Sequence, residues 1–346
     1  MMDILIRADA YPEIGAGHVM RCLALAHALK ERQVDVTFVG RIDSELMRRR
    51  IADDGFNHVP LTMVWPSYED LIVMAELVEK TVYVPLVVLD GYLFDLAYQQ
   101  KISALGVKVV VIDDTAHHPT YHADLIINQN IYGKTLRYRN ECDGRLLLGS
   151  EYAMIRPEFL GRKPSGPPVV PERARKILVS FGAGDPDNVT GLAVNALKET
   201  GLDDLEVKVV VGPLNRHIET LRRSLTVTSF KAELLTEVID IASLLSWAEL
   251  AVVAGGSTCW ELALLGIPAL VVIVADNQIA LAAGIDRAGM AANCGWFHTL
   301  TVAQLADRIK TLINDGPHRR LMAEIGRQLV DGGGAGRVAD QLMAAA

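Results

Sequence analysis

ILIRADAYPEIGAGHVMRC, residues 4–22, runs from an apolar strand through a glycine turn into a helical pattern. Gly15 and Gly17 let the backbone turn tightly toward a ligand, and His18 stands where the helix is expected to begin. Because the free amides and positive dipole end of a helix disfavour a second positive charge, we expect a neutral imidazole that can accept a proton. This placement predicts a general base at a ligand-binding edge. The alternative is that His18 is only a polar cap above a Rossmann-like turn.

Length, charge and composition limit the class of protein. The chain has 346 residues, of which 50% are hydrophobic and 22% charged, so it is long enough for two cores. Its net charge is −8 and its longest basic run is residues 48–50, which argues against a nucleic-acid partner. The apolar stretch 262–275 is too short to span a bilayer, and Asp3 and Arg7 interrupt the first apolar run, unlike in a secretory signal. We therefore expect a cytoplasmic enzyme without stable membrane association, and the sequence leaves its oligomeric state open.

Continuous apolar runs alternate with helical patterns along the whole chain. Buried strands are predicted over residues 34–40, 86–90, 107–113, 125–128 and 146–148, and again over residues 176–182, 206–212, 226–230, 250–255 and 269–274. Such runs are typical of parallel sheets covered on both faces. We predict two Rossmann-like doubly wound α/β domains, residues 1–160 and 176–332, joined by a proline-rich linker at 161–175, with a final helix over 333–346 that can pack back on the first domain. A cleft between the two domains, at the carboxyl ends of their strands, is the expected ligand site.

The most distinctive segment of the second half is AGGSTCWELALLGIPALVVIVADNQ, residues 254–278. Two glycines allow a phosphate close to the backbone, and two hydroxyl residues with free amides begin the next helix. These four residues are Gly255, Gly256, Ser257 and Thr258. Glu261, one turn further on, can pair its two oxygens with neighbouring ribose hydroxyls. The segment therefore predicts a nucleotide site, and the alternative is a capped turn with a solvated glutamate.

Other polar groups follow predicted strands. Residues 276–278, Asp-Asn-Gln, are expected to face the cleft, and the alternative for them is an Asx turn with a helix cap. A second group has the composition of a metal site and consists of Asp113, Asp114, His117, His118, His122 and Asp124. Pro119 lies between the two histidines that have helical spacing and argues for a loop, so we predict no metal there. Asp185 belongs to a D-x-D pattern but precedes a helix, which favours an N-cap.

These motifs carry a resemblance that covers most of the chain in order. The sequence resembles the UDP-sugar hydrolases of pseudaminic acid biosynthesis, which act on UDP-2,4-diacetamido-2,4,6-trideoxy-β-L-altropyranose and have a two-domain GT-B fold similar to the MurG glycosyltransferase. The matching stretches are residues 6–26 (IRADAYPEIGAGHVMRCLALA), 87–92 (VVLDGY), 111–114 (VIDD), 123–130 (ADLIINQN), 147–159 (LLGSEYAMIRPEF), 177–190 (ILVSFGAGDPDNVT) and 254–278.

The resemblance implies hydrolysis of the bond between the anomeric carbon and UDP, with inversion and without a metal or cofactor. It implies that His18 is the general base, that Tyr92 lines the sugar pocket and that Asn277 lies near the diphosphate or the sugar. The UDP-binding part matches Glu261 and the glycine turn before it. Other expected substrate contacts are Gly15, Gly17, Arg21, Asn128, Arg156, Gly182 and Gln278. Ala183 departs from the glycine that is more frequent in the family.

The chemistry fits the residues on independent grounds. UDP is a stabilised leaving group, so its departure needs charge neutralisation more than a strong acid, and one base can suffice. Arg21 can hold substrate anions or keep His18 neutral, and the alternative is a surface arginine. Two other functions stay open: a glycosyltransferase that uses the same UDP site, and a non-catalytic UDP-sugar binding module.

Overall fold

The computed structural model describes residues 2–80, 86–182, 184–212, 215–238 and 240–346. They form two compact units, the first made of Met1–Pro157 and Gly332–Ala346 and the second of Glu158–Asp331. Ala183, singled out above, lies outside the described residues. Of the helices in the described ranges, none is both long and apolar enough to cross a membrane.

The first unit is built on a parallel sheet of seven strands. These are β1 (Asp3–Ala8), β2 (Asp35–Gly40), β3 (Asn57–Pro60), β4 (Leu86–Asp90), β5 (Lys108–Ile112), β6 (Leu125–Asn128) and β7 (Arg145–Leu148). Their order is β3-β2-β1-β4-β5-β6-β7. The connections include α1 (Gly17–Lys30), α2 (Glu45–Asp53), α3 (Tyr68–Glu79) and α4 (Leu96–Ser103). Alternate residues of β1 pack on opposite faces: Ile4 and Ile6 join the core under α1, and Leu5 joins the core under α3 and α4.

The second unit repeats this architecture with six strands. Its helices are α5 (Pro157–Leu160) at the boundary, then α6 (Val189–Glu199), α7 (Ile218–Leu225), α8 (Ile241–Trp247), α9 (Thr258–Leu265), α10 (Ile279–Arg287), α11 (Val302–Asn314) and α12 (Gly316–Leu329). Its strands are β8 (Lys176–Ser180), β9 (Glu206–Val210), β10 (Lys231–Leu235), β11 (Leu250–Ala254), β12 (Ala269–Ile273) and β13 (Ala292–Trp296). The strand order is β10-β9-β8-β11-β12-β13, all parallel. The predicted α/β class with two Rossmann-like parallel sheets is confirmed.

The segment between the sheets packs on the second unit, where the sequence predicts a linker at 161–175. The Arg327 guanidinium donates to the carbonyls of Pro164 and Gly166, and the Ala174 N–H donates to the carbonyl of Ile313. The last helix, α13 (Gly334–Ala345), belongs instead to the first unit and packs against α1.

Three strands differ from the prediction. The strand predicted over 226–230 is wrong: Thr228 Oγ1 donates to the carbonyls of Leu225 and Phe230, which makes a turn after α7, and β10 begins only at residue 231. The sequence analysis also did not predict β3 and β13, which are both edge strands. The residues of β3 are partly or fully exposed, and Gly295 interrupts β13 with a φ of +85°, so neither has a continuous buried apolar run.

Candidate functional site

In both sheets the strand order reverses beside the first strand of the unit. The chain continues from β1 to β2 on one side and returns at β4 on the other, and β8 has the same relation to β9 and β11. Doubly wound folds bind ligands at the carboxyl ends of the strands at this reversal. His18 follows β1 and Asp90 ends β4, while Gly182 follows β8 and Gly255 follows β11. Each unit therefore places polar or glycine residues where such a sheet binds ligands.

His18 lies in the first turn of α1, and a carboxylate holds its imidazole. His18 Nδ1 is 2.6 Å from Oδ1 of Asp90, and these side chains are 9% and 0% exposed. Because an ionised carboxylate only accepts hydrogen bonds, Nδ1 donates to Asp90, and a neutral ring oriented in this way has its lone pair at Nε2. Within the described part of the chain, no group bonds Nε2. The imidazole is oriented as a base, and it bonds Asp90 instead of capping the helix.

Arg21 neutralises the carboxylates around this histidine. Its guanidinium donates to Asp90 from Nε at 2.7 Å and from Nη2 at 2.6 Å, and to Asp114 from Nη1 at 2.7 Å. The residue is only 7% exposed, so the alternative of a surface arginine is wrong. Burial on its own would raise the pKa of Asp90, but the charge and hydrogen bonds of Arg21, together with the hydrogen bond from His18, outweigh it and hold that pKa well below its usual range. Arg21 therefore binds two carboxylates of the protein itself. The sequence analysis suggested that it could bind an anion of the substrate.

Tyr92 stands beside the imidazole. Its hydroxyl donates to Asp114 Oδ2 at 3.1 Å, and its ring meets the His18 ring edge-on, with centroids 5.1 Å apart. The loop before His18 is open on its outer side, since a Cβ at Gly15 or Gly17 would meet nothing within 4 Å. The φ of Gly15 is +73°, a conformation that favours glycine. The backbone next to the histidine is therefore accessible to a ligand.

Asn128 is fully buried, and its side chain is used inside the fold. Its Nδ2 donates to the Asp114 carbonyl and to the Tyr138 hydroxyl, both at 2.8 Å, and its Oδ1 accepts from the Asn130 N–H at 2.9 Å. These bonds fix the segment after β6, so the Asn128 side chain has a structural role and is not proposed to touch a substrate. Asn130 donates from its own Nδ2 to Asp114 Oδ1 at 2.9 Å. Arg156 is partly buried just before α5.

The histidine and aspartate group after β5 is an internal hydrogen-bond network. His117 Nδ1 is 2.8 Å from Asp113 Oδ2, and the hydroxyls of Tyr121 and Tyr138 donate to the same carboxylate at 2.7 and 2.9 Å. His122 contacts Glu141 and Ser103 instead. In the ranges that the structure covers, no three His, Cys, Asp or Glu side chains form a group able to hold a metal ion.

We expect the His117–Asp113 pair to stabilise the protein mainly at acidic pH. Burial lowers the pKa of His117, but the hydrogen bond and charge of Asp113 outweigh it, so the folded-state pKa lies above the ordinary value. Stability from a raised pKa is complete below the unfolded value of about 6.5 and is lost as the pH rises through the folded value. His117→Gln should therefore lower the free energy of unfolding more at about pH 5.5 than at about pH 8.5, as measured by denaturant titration.

An Asp113→Asn background provides the control for this prediction. There the His117→Gln effect should no longer change with pH, because the partner has lost its charge. A loss of stability that is constant, or that grows toward alkaline pH, would contradict the ion pair.

The turn after β11 presents hydrogen-bond donors at the start of α9. Among the described residues, the backbone N–H groups and hydroxyls of Ser257 and Thr258 have no hydrogen-bond partner. A Cβ at Gly256 would meet nothing within 4 Å, so the backbone there can be approached closely. Free N–H groups at a helix N-terminus bind anions. This turn is a candidate phosphate site.

Gln278 fixes this turn from the neighbouring strand. Its Oε1 accepts from the Gly255 N–H at 3.1 Å and from the Val274 N–H at 3.0 Å, which joins the ends of β11 and β12. The Gly255 N–H is therefore not free to bind a phosphate, and Gln278 keeps only Nε2 for a ligand. Asn277, in the 3-10 turn Asp276–Gln278, is exposed beside it.

Glu261 and Gly182 complete the candidate nucleotide side. Glu261 lies in the first turn of α9 and is 7% exposed, so it is not the solvated helix residue of the alternative. Gly182 has a φ of +88°, and a Cβ there would meet nothing within 4 Å. The prediction that Asp185 is an N-cap is wrong: the N-cap of α6 is Asn188, whose side chain accepts from the Gly191 N–H. Asp185 lies three residues earlier and accepts from the backbone N–H groups of Val189 and Thr190, both at 2.9 Å.

Two carboxylates were missed as site residues in the sequence. Asp90 binds both His18 and Arg21, and Asp114 binds Arg21 and Tyr92. Asp90 ends β4 (LVVLD), and Asp114 is the second of two aspartates after β5 (KVVVI). An aspartate at the carboxyl end of a mostly apolar strand is the signal that could have found them.

Known proteins match this chain over most of its length, although no family model does. The spore coat polysaccharide biosynthesis protein SpsG of Bacillus subtilis is 26% identical over 340 residues, which cover 97% of this chain and 96% of SpsG. The UDP-2,4-diacetamido-2,4,6-trideoxy-beta-L-altropyranose hydrolase of Campylobacter jejuni is 22% identical over 294 residues, which cover 83% of this chain and 97% of the hydrolase.

Solved structures match the whole architecture. MurG of Acinetobacter baumannii is 17% identical with a TM-score of 0.66, and the match covers 99% of this chain and 100% of MurG. HepE of Anabaena, solved in complex with UDP-glucose, is 12% identical with a TM-score of 0.65 and is covered completely, as is this chain. At these identities the likeness concerns the fold. The protein has the GT-B fold, with two Rossmann-like parallel-sheet domains.

Proposed function

We propose that the protein is an enzyme that hydrolyses a UDP-linked sugar at its anomeric carbon and inverts the configuration there. The observation that carries this proposal is the His18–Asp90 pair, in which Nδ1 faces the carboxylate and Nε2 is unpartnered among the described residues. A nitrogen in this state can take a proton from water. The similarity to the hydrolase of Campylobacter jejuni supports the same reaction.

The proposed hydrolysis forms one bond to the anomeric carbon and breaks another, and it uses no metal or cofactor. The water oxygen forms a bond to the anomeric carbon, and the bond from that carbon to the diphosphate oxygen breaks. His18 Nε2 receives the water proton, and Asp90 stabilises the resulting imidazolium. The bonding electron pair leaves with UDP, whose charge is met by the free N–H groups and hydroxyls of Ser257 and Thr258. UDP is a stable anion, so the second carboxyl group of ordinary glycosidases is not required.

We assign the nucleotide to the second unit. Ser257 and Thr258 receive the diphosphate, because they carry donors that no described residue uses. Glu261 pairs with the ribose hydroxyls. The remaining contacts are assigned to the glycine backbone and the 3-10 turn: Gly182, Gly256, Asn277 and Gln278. Gly255 is left to its bond with Gln278, which fixes the turn. The complex of HepE with UDP-glucose supports a UDP-sugar as the ligand class.

We assign the sugar to the first unit, and we propose a 2,4-diacetamido-2,4,6-trideoxyhexose like that in the name of the Campylobacter jejuni relative. Its contacts are Gly15 and Gly17 at the open loop, Tyr92 beside the histidine, and Arg156. Arg21 acts through Asp90, so we assign it to positioning the base and not to substrate binding.

A second candidate function is transfer of the sugar to an acceptor other than water. The structural likeness to MurG over 99% of this chain favours it, since one nucleotide site serves both reactions. A non-catalytic UDP-sugar binding module would use the nucleotide site and leave His18 without a chemical role.

Incubating the purified protein with UDP-2,4-diacetamido-2,4,6-trideoxy-β-L-altropyranose, without acceptor and in H₂¹⁸O, separates these functions. Hydrolysis at the anomeric carbon releases UDP and puts ¹⁸O into the free sugar, and NMR of the first product gives the inverted anomer. UDP-N-acetylglucosamine is the matched substrate for sugar specificity. Release of UDP only after an acceptor is added would favour the transferase, and binding without release would favour the binding module.

We expect Gly256→Val to weaken UDP binding at least tenfold, which corresponds to about 1.4 kcal/mol. The fold has room for the new side chain, because a Cβ at Gly256 meets nothing within 4 Å. The isopropyl group instead occupies the space through which the diphosphate approaches the backbone. Isothermal titration calorimetry with UDP measures the loss.

Gly166→Val is the matched control, since a Cβ at Gly166 also meets nothing within 4 Å and the residue lies away from the strand ends. It should leave the UDP affinity and the thermal midpoint unchanged. Equal UDP affinity in both variants would remove the turn after β11 from the nucleotide site.

A further inference from the structure

We infer that Tyr132 is an additional substrate-contacting residue, whose hydroxyl binds an uncharged oxygen of the sugar, either a hydroxyl or the carbonyl of an acylamino group. The inference rests on the proposed function and deepens it. Tyr132 is not part of the motifs that predict the site, and it lies four residues after the end of β6.

Hydrogen bonds tie the segment that carries Tyr132 to the carboxylate beside the base. Asn130 donates from Nδ2 to Asp114 Oδ1 at 2.9 Å, and its backbone N–H donates to Asn128 Oδ1, also at 2.9 Å. Asp114 in turn accepts from Arg21 and from the Tyr92 hydroxyl. Tyr132 therefore lies two positions after a residue that directly contacts the network that orients His18.

The Tyr132 side chain combines a buried ring with an unused hydroxyl. The residue is only 6% exposed, yet no described residue bonds its hydroxyl, and that oxygen keeps contact with solvent. Buried tyrosines normally give their hydroxyl a partner. The other buried tyrosines among the described residues do so: Tyr98 donates to Asp70 and Tyr121 to Asp113, and the partly buried Tyr138 also donates to Asp113. Tyr132 differs because packing fixes its ring while no described residue bonds its hydroxyl.

The surroundings decide what this hydroxyl can bind. Burial, followed by the charge of Asp114 and the nearby Tyr92, raises the pKa of Tyr132, so the phenol stays protonated. Asp114 already accepts from three donors, one of them the Arg21 guanidinium, and its negative charge disfavours a second anion close by. A neutral acceptor on the sugar fits this environment better than a phosphate oxygen.

The test compares Tyr132→Phe with Tyr138→Phe. Tyr132→Phe should lower kcat/KM for UDP-2,4-diacetamido-2,4,6-trideoxy-β-L-altropyranose about three- to tenfold, the effect of one lost hydrogen bond. Its affinity for UDP and its thermal midpoint should equal those of the wild type. Tyr138→Phe removes a hydroxyl that the fold itself uses, so it should lower the thermal midpoint.

Turnover of the wild type distinguishes a failure of the Tyr132 proposal from a failure of the proposed hydrolysis. If the wild type cleaves the UDP-sugar and Tyr132→Phe has the same kcat/KM, the role of Tyr132 is overturned while the proposed function stands. A drop in thermal midpoint as large as that of Tyr138→Phe would also overturn it. If the wild type binds the UDP-sugar without cleaving it, hydrolysis fails, and a three- to tenfold weaker Kd of Tyr132→Phe for the UDP-sugar but not for UDP still supports the contact. A wild type that does neither overturns both.

Discussion

His18→Ala should lower UDP-sugar turnover by about 10² to 10⁴, the usual contribution of a general base. The substitution removes the nitrogen that is proposed to take the water proton. UDP affinity should be unchanged, because the donors proposed to hold the diphosphate belong to Ser257 and Thr258 in the second unit. Steady-state turnover and calorimetric titration with UDP measure the two effects separately.

His27→Ala is the matched control for this prediction. His27 lies on the same helix and also pairs with a carboxylate, Asp54, at 3.0 Å, but on the side away from Asp90. It should keep wild-type turnover. Full turnover in His18→Ala would show that the imidazole is not the base, and a parallel loss of UDP affinity would indicate a structural defect.

Arg7→Met should destabilise the first unit by about 3–5 kcal/mol, the typical cost of breaking a buried ion pair from one side. Arg7 is 0% exposed, and its guanidinium donates to Asp70 at 2.9 and 3.0 Å and to Asp9 at 2.6 Å. Methionine fits the volume but leaves two carboxylates in the core without their cation. Urea denaturation of the full chain measures the change in unfolding free energy.

Arg41→Met provides the comparison, because Arg41 pairs with Asp43 at 2.7 Å on the surface and its loss should cost far less. Adding Asp70→Asn to Arg7→Met should recover part of the stability, since one of the stranded charges is then removed. Equal effects of Arg7→Met and Arg41→Met would mean that the buried network does not contribute to stability.

The sequence predicts the fold well because burial on both faces of a parallel sheet leaves a strong local signal. β4 reads LVVLD and β12 reads ALVVI, and all their residues are buried. Edge strands such as β3 lack this pattern and were missed. The glycine turns before His18 and after β11 were also visible, since glycine at a strand end marks close approach of a ligand.

The partners of the site residues were not predictable in the same way. Asp90 is 72 positions from His18, and the two meet because β1 and β4 are neighbours in a register that pairs Ala8 with Asp90. Burial of a polar side chain is equally hidden in a single sequence. Arg21 and Asn128 were expected to meet a substrate, but tertiary packing gives both of them partners inside the protein.

The return of the chain to the first unit has a consequence for biosynthesis. A core cluster of that unit contains Val338 and Leu342 of α13 together with Ile4 and Leu25, so its packing needs both early and late parts of the polypeptide. During translation, the sheet of the second unit is synthesised before α13. Part of the apolar surface of the amino-terminal sheet and α1 therefore stays uncovered until α13 has been synthesised and packs on it.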